Sequence, residues 1–199
     1  MRMLILLTMF LPVSAFSAEK IHSVSNLAGS KAVVEIAAPE RGLVMLDLSS
    51  GKKDILPLPA TDEEVMGTIL LADRLLLISQ WTAGDGKPAH LHELSLKTKV
   101  WADPREIACI SFDQVQVSGN ELKVSCETGP NADAKPKDVV MKFGGRPEMK
   151  LKLEFPLASY VRDKFSFRLI GNLMAWDSLE TKTPTGKKKV YKANELAVK

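Results

Sequence analysis

His90-Leu91-His92-Glu93 is the stretch best equipped for chemistry. Residues at i and i+2 of a strand project to the same side, so the two imidazoles are placed to share one zinc ion, with a third ligand drawn from elsewhere. The aligned positions in the preceding part of the chain are Val44 and Leu46, which point instead to a packing surface. A metal-dependent hydrolase or lyase would rest on this pair, because the only other histidine is His22. Nucleophile motifs are absent: there is no Gly-x-Ser-x-Gly elbow, no glycine-rich phosphate loop between strand and helix, and no thiol left over if Cys109 and Cys126 pair. A Ser/His/Asp grouping assembled from distant stretches stays open, since such triads are recognised by geometry. Glu63 and Glu64 fall in Thr61-Asp62-Glu63-Glu64, a capping-box spacing that predicts one helical turn and a solvated, dipole-facing role for the acids.

Charge gathers elsewhere in three long loops, residues 82–88, 128–137 and 181–186, which with their flanks carry Asp85, Lys87, Lys135, Lys137, Lys182 and Lys187. Loops on a rigid β scaffold are the usual seat of binding residues, so a mixed, mildly basic binding face is expected there. The run Lys187-Lys188-Lys189 with Tyr191 and Lys192 suits an anionic lipid headgroup or cell-wall polymer. With aromatic residues at 6% of the chain there is little to stack on bases, and no nucleic-acid partner is expected. Trp81 and Trp176 occupy corresponding strands, which predicts core packing first and a ligand platform second.

These residues need a scaffold, and its setting is read from the N-terminus. Arg2 is followed by an apolar run from Met3 to Val13 and by small residues at Ser14, Ala15, Ser17 and Ala18. The run is too short to span a bilayer, and its end is what signal peptidase reads, so residues 1–18 are expected to be a cleaved signal and 19–199 the mature domain. The protein is thus expected in the periplasm or secreted, with no transmembrane segment. About 180 residues suffice for one domain with a genuine core. A balance of 27 Lys+Arg against 24 Asp+Glu says little about partners. Two cysteines in an exported chain are expected to form the disulfide Cys109–Cys126. A regular hairpin turning at Gly119-Asn120 would set Cys126 opposite Asp113, so this bond requires the chain before Phe112 to curl back.

Apolar/polar alternation bounded by Gly, Pro and Ser runs through the whole mature chain and predicts strands. Tight turns near Gly29, Asp73, Gly119 and Gly171 recur about every 45 to 50 residues, the period of four-stranded propeller blades. The expected fold is therefore all-β: tandem antiparallel four-stranded units, propeller-like, with about four blades in a complete or incomplete ring. A β-sandwich or meander is the alternative. Leu46-Asp47-Leu48-Ser49-Ser50-Gly51-Lys52, followed by Ile55 and Leu56-Pro57, resembles a blade of the quinoprotein or YVTN type of β-propeller, and His92-Glu93-Leu94-Ser95 with Lys97 is a degraded version. The resemblance implies an Asp-Leu-x-x-Gly-Lys turn between outer strands and brings no cofactor residue with it. Members of that class use six to eight blades, whereas this chain has length for four. A ring of this kind is closed when one terminus completes the final blade, and residues 19–24 are placed to supply that strand.

Repeats without a complete catalytic set predict a non-enzymatic extracytoplasmic binding module for a protein or cell-envelope ligand. The alternatives are an inhibitor or immunity protein for a secreted or periplasmic enzyme, and an enzyme built on His90 and His92. No cofactor is expected apart from zinc at that pair.

Overall fold

The computed structural model describes residues 19–37, 41–81, 87–109, 111–127, 137–143, 150–172 and 175–197, which are built almost wholly of antiparallel strands. The expected signal, residues 1–18, lies outside them, as do Asp85 and Lys135. The first unit comprises β1 (Ile21–Val24), β2 (Lys31–Ile36), β3 (Gly42–Asp47) and β4 (Lys53–Leu56). The second has β5 (Glu64–Leu70), β6 (Arg74–Gln80), β7 (Ala89–Ser95), β8 (Val100–Trp101) and β9 (Arg105–Ile107). The third has β10 (Ser111–Ser118), β11 (Glu121–Glu127), β12 (Lys137–Lys142) and β13 (Lys150–Glu154). The fourth has β14 (Ser159–Arg162), β15 (Phe165–Asn172), β16 (Ala175–Lys182) and β17 (Lys188–Lys192), followed by the short helix α1 (Ala193–Leu196).

The repeat is visible in its turns. In the first unit the Gly51 amide donates to the Asp47 carbonyl at 2.7 Å, and Gly51 has φ 74°. In the second the Lys99 amide donates to the Ser95 carbonyl at 2.8 Å, and Lys99 has φ 55°. The two turns share a hydrogen-bonding pattern, with lysine holding the left-handed position that glycine takes more easily.

Four units give three sheets, because the first and last are fused. Their sheet runs β14-β15-β16-β1-β2-β3-β4, with β17 also on β16. Strand β17 pairs with residues 178–182 of β16, and β1 takes over that edge at Trp176, opposite Ile21. A Lys20–Asp177 ion pair flanks the seam. The N-terminal strand thus joins the last unit, as expected, while staying hydrogen-bonded to its own.

Units are joined face to face. The run Leu75-Leu76-Leu77-Ile78 in β6 is fully buried because both faces of its sheet are covered. Leu75 and Leu77 pack against Val33, Leu43 and Leu56 of the first unit. Leu76 and Ile78 pack against Val115, Leu122 and Val124 of the third. A strand covered on both sides reads as an unbroken apolar run, whereas β13, covered on one, alternates. Phe167, Leu169, Trp176 and Leu179 of the fourth unit close onto Ile21, Val34 and Ile36 of the first.

Two local features depart from expectation. The third unit is not a simple meander: its order is β12-β11-β10-β13, so the last strand crosses to the free edge of β10. Residues 61–64 form no helical turn; Glu64 already begins β5, and the Thr61 hydroxyl accepts the Glu63 amide at 3.1 Å in a local turn.

The Cys109–Cys126 disulfide is present, with Cα atoms 5.3 Å apart. A bulge between Phe112 and Gln114 sets Phe112 rather than Asp113 opposite Cys126, which shortens by one residue the offset to Cys109 that a regular hairpin would impose. The Ala89 amide donates to the Cys109 carbonyl at 2.9 Å, so the bond staples the second sheet to the third.

A Cβ on Gly67 would stand 2.6 Å from the Phe155 ring. Gly67→Ala is therefore expected to destabilise the protein by about 1–3 kcal/mol through overpacking, measured by denaturant unfolding.

Candidate functional site

Strand β7 buries Leu91 against the third unit and turns His90, His92 and Leu94 toward the first. The neighbouring β6 places Ser79 directly across from His90 on that same side. The two histidines do project together, but what they meet is a carboxylate. Glu63 Oε1 lies 2.7 Å from His90 Nδ1, Glu63 Oε2 accepts the Ser79 hydroxyl, and Ser79 Oγ lies 2.7 Å from His92 Nε2. Glu63 is only 5% exposed.

The network continues across the junction between the first and second units. Arg41, just ahead of β3, donates from Nη1 to the Glu63 carbonyl at 3.3 Å and from Nε to Glu35 Oε1 at 3.1 Å. Glu35, on β2 and 3% exposed, also accepts the Ser23 hydroxyl at 2.9 Å. His22, on β1, donates through Nε2 to the Val65 carbonyl at 3.0 Å. All three histidines of the chain therefore converge on residues 63–65 or on the side chains bonded to them.

Burial dominates the electrostatics. Desolvation raises the Glu35 carboxyl above its ordinary value, opposed by His22, Arg41 and the Ser23 hydrogen bond. Desolvation lowers the His92 imidazole, against the pull of Glu63. His92 is thus neutral in the fold at neutral pH.

The order of these groups decides their chemistry. A serine hydroxyl has one proton, and an ionised Glu63 can only accept it, so with Glu63 ionised Ser79 accepts from His92 and His92 Nε2 carries the hydrogen. A nucleophilic triad needs the reverse arrangement, with a bare imidazole nitrogen taking the serine proton and the acid behind the imidazole. Glu63–Ser79–His92 is a polar tie and not an activated serine. Among the described residues no three His, Cys, Asp or Glu side chains are grouped to hold an ion.

His92 titrates higher in the unfolded chain than in the fold, so acidification adds its proton to the unfolded state first. Its contribution to stability is complete above about pH 6.5 and is lost as pH falls from there toward its lowered folded value. Glu35, raised by burial, has the opposite sign: its stability penalty develops as pH rises from about 4.5 through its raised folded value. His92→Gln keeps a donor toward Ser79 without titrating. Its stability is expected to fall less than that of the native protein between pH 6.5 and 5, as read from urea midpoints.

The network walls a cleft of about 360 Å³ lined by His22, Glu35, Arg41, Asp62, Glu63 and Glu64. Asp62 and Glu64 are exposed at its rim, and neither has an ion pair among the described residues. At the same end, Lys87 Nζ sits 4.3 Å over the ring of Trp81, which is 38% exposed, whereas Trp176 is buried in the core. Trp81 is thus the exposed tryptophan and Trp176 the packed one. Lys137 opens β12 opposite Cys126, and the disulfide brings that position to the end of the second sheet where β7 begins.

The remaining lysines are elsewhere. Lys182 ends β16, and Lys187 lines a hollow with Ser49, Ser50 and Gly51, at the end of β3 away from Arg41. The described flanks of two of the three long loops, Trp81 and Lys87 of one and Lys137 of the other, therefore lie toward the Glu63 end, and the third loop does not. The reason is the seam: β16 is tied to β1 only at Trp176, and the fourth unit crosses the face of the first. Glu35, Arg41, Ser79 and the buried role of Glu63 were not anticipated from the sequence. The available signal was Glu35, a lone charge inside the apolar run from Ala32 to Ile36.

No family model matches the chain, and no curated protein matches it. Among solved structures, one similar chain comes from a structural and mechanistic study of two prolyl endopeptidases, with 13% identity and a TM-score of 0.45 over 88% of this chain and 30% of that one. Another is the N-terminal domain of Nup159, with 15% identity and a TM-score of 0.36 over 87% of this chain and 47% of that one. The chain thus spans less than half of either. No helix among the described residues is long and apolar enough to cross a membrane.

Proposed function

We propose that this protein is a non-enzymatic binding module acting in the periplasm or after secretion. It holds a protein ligand or cell-envelope component at the end of the fold where Trp81, Lys87, Asp62 and Glu64 surround the Glu63 cleft. The observation that carries the reading is the contrast between inside and rim. Glu63, Ser79 and His92 are buried and engaged with one another, and buried Glu35 with Ser23 and Arg41, while the exposed tryptophan, its stacked lysine and two unpaired acids face outward. An exposed aromatic beside charges of both signs is the composition of an interface hot spot with a polar rim. The disulfide is compatible with export. The Asp47 turn supports a distant kinship with quinoprotein or YVTN propellers, shortened to four units.

The test is affinity capture from envelope extract with the mature protein, beside a Trp81→Ala variant whose unfolding curve confirms that it is folded. A species held near stoichiometry by the native protein should bind the variant about 30-fold more weakly, the effect of truncating a hot-spot aromatic worth about 2 kcal/mol. Equal retention by both proteins would contradict the reading.

A further inference from the structure

At the other end of β3, the turn through Ser49, Ser50 and Gly51 meets the β16–β17 hairpin around a hollow of about 70 Å³. Lys187, Lys189 and Tyr191 alternate along the chain at the start of β17 and line this hollow together. Tyr191 is 5% exposed, yet its hydroxyl has no hydrogen-bond partner among the described residues. Lys189 Nζ lies 4.4 Å over the Tyr191 ring. A Cβ on Gly51 would stand 3.1 Å from the Tyr191 hydroxyl and 3.2 Å from Lys189 Nζ, so both groups converge above a bare Cα.

Neither Lys187 nor Lys189 has an ion pair among the described residues. The acid of the turn, Asp47, does not serve them: its Oδ1 accepts the Ser49 amide at 2.8 Å, the Ser50 amide at 3.2 Å and the Ser30 hydroxyl at 3.2 Å. The threonine hydroxyls of the wall are used within the hairpin, Thr181 on the Lys189 carbonyl and Thr183 on Thr185 and the Lys187 carbonyl. What remains without a hydrogen-bond partner among the described residues is a set of donors, two ammonium groups and the Tyr191 phenol hydroxyl, with no carboxylate among them.

Such a set asks for a small ligand with several acceptor oxygens and negative charge. The hollow of about 70 Å³ has room for one compact oxyanion. We propose that this hollow binds a tetrahedral oxyanion, namely a phosphoryl group, with Lys187 and Lys189 supplying charge and Tyr191 a directional hydrogen bond. Exposed Lys182 and Lys188 flank it and raise the local concentration of anions. The site is separate from the Trp81 face, and either can fail without the other.

The test is calorimetric titration of the mature protein with inorganic phosphate, beside co-sedimentation with vesicles of phosphatidylglycerol or of phosphatidylcholine alone. Saturable phosphate binding is expected. It should weaken about tenfold or more in Lys187→Gln/Lys189→Gln and severalfold in Tyr191→Phe, which retains the ring, while Lys31→Gln leaves it unchanged. Phosphate binding without vesicle binding would assign the site to a free anion. Pelleting with phosphatidylglycerol that is lost in the double variant would assign it to a membrane or envelope phosphodiester. No saturable binding of either probe, or binding equal in all folded variants, would overturn the proposal.

Discussion

Glu63→Ala is expected to lower stability by about 3 kcal/mol, the summed cost of leaving more than one buried polar group without its partner at about 1–3 kcal/mol each. One carboxylate holds His90 through one oxygen and Ser79 through the other, and Ser79 in turn holds His92. Deleting it strands a buried hydroxyl and leaves an imidazole with its partner untethered, each without water to replace the lost bond. Part of His90 is exposed and can rehydrate, which keeps the loss from the upper end. For a domain of this size that is a fall in Tm of about 6–12 °C. Glu63→Gln retains an acceptor for Ser79 and should cost only about 1 kcal/mol. The two variants compared by thermal unfolding separate the lost network from lost packing volume. The Ser79→Ala and Glu63→Ala effects should also be strongly non-additive, because the two residues share one hydrogen bond.

The second large effect is expected on breaking the disulfide. Cys109 and Cys126 are 17 residues apart, and a closed loop of that size is worth about 3 kcal/mol in the chain-entropy account. The bond also ties two sheets that otherwise meet through side-chain packing and the hydrogen bond from Arg105 to the Lys142 carbonyl. Cys109→Ala/Cys126→Ala should therefore shift the guanidinium midpoint down by an amount matching about 3 kcal/mol. The native protein treated with reductant should follow the variant, and the variant itself should not respond to reductant.

Much of the architecture is legible in residue order. The alternation in β13 and the unbroken run in β6 announce, respectively, a sheet covered on one face and a sheet covered on two. The Ser-Ser-Gly turn and its counterpart at Ser95 to Lys99 mark a repeat. What residue order does not carry is which strand edges meet. Period-two alternation says which side chains share a face and nothing about the neighbouring strand, so β13 crossing to β10 was not derivable, and β1 reaching the last unit was expected only from the need to cover an open edge. The placement of the third lysine loop depended on that bridge. Glu63 was misread because a capping-box spacing is satisfied equally by a local Thr61 turn that leads straight into a strand. Nothing local to Thr61-Asp62-Glu63-Glu64 shows that His90 and Ser79 wait opposite. The disulfide followed from compartment reasoning, and the bulge at Phe112 that allows it is visible only in the paired strands.

The position of one proton separates a polar tie from a catalytic serine: with Glu63 ionised, Ser79 gives its hydrogen to Glu63 and receives one from His92. ¹⁵N-detected NMR of histidine-labelled protein reads this directly through the two ring nitrogens of His92. A neutral ring with the hydrogen on Nε2, persisting as pH falls below about 6.5, is the predicted result. A bare Nε2 with the hydrogen on Nδ1 would contradict it, because the imidazole would then stand ready to take the Ser79 proton, and the site would be a catalytic one.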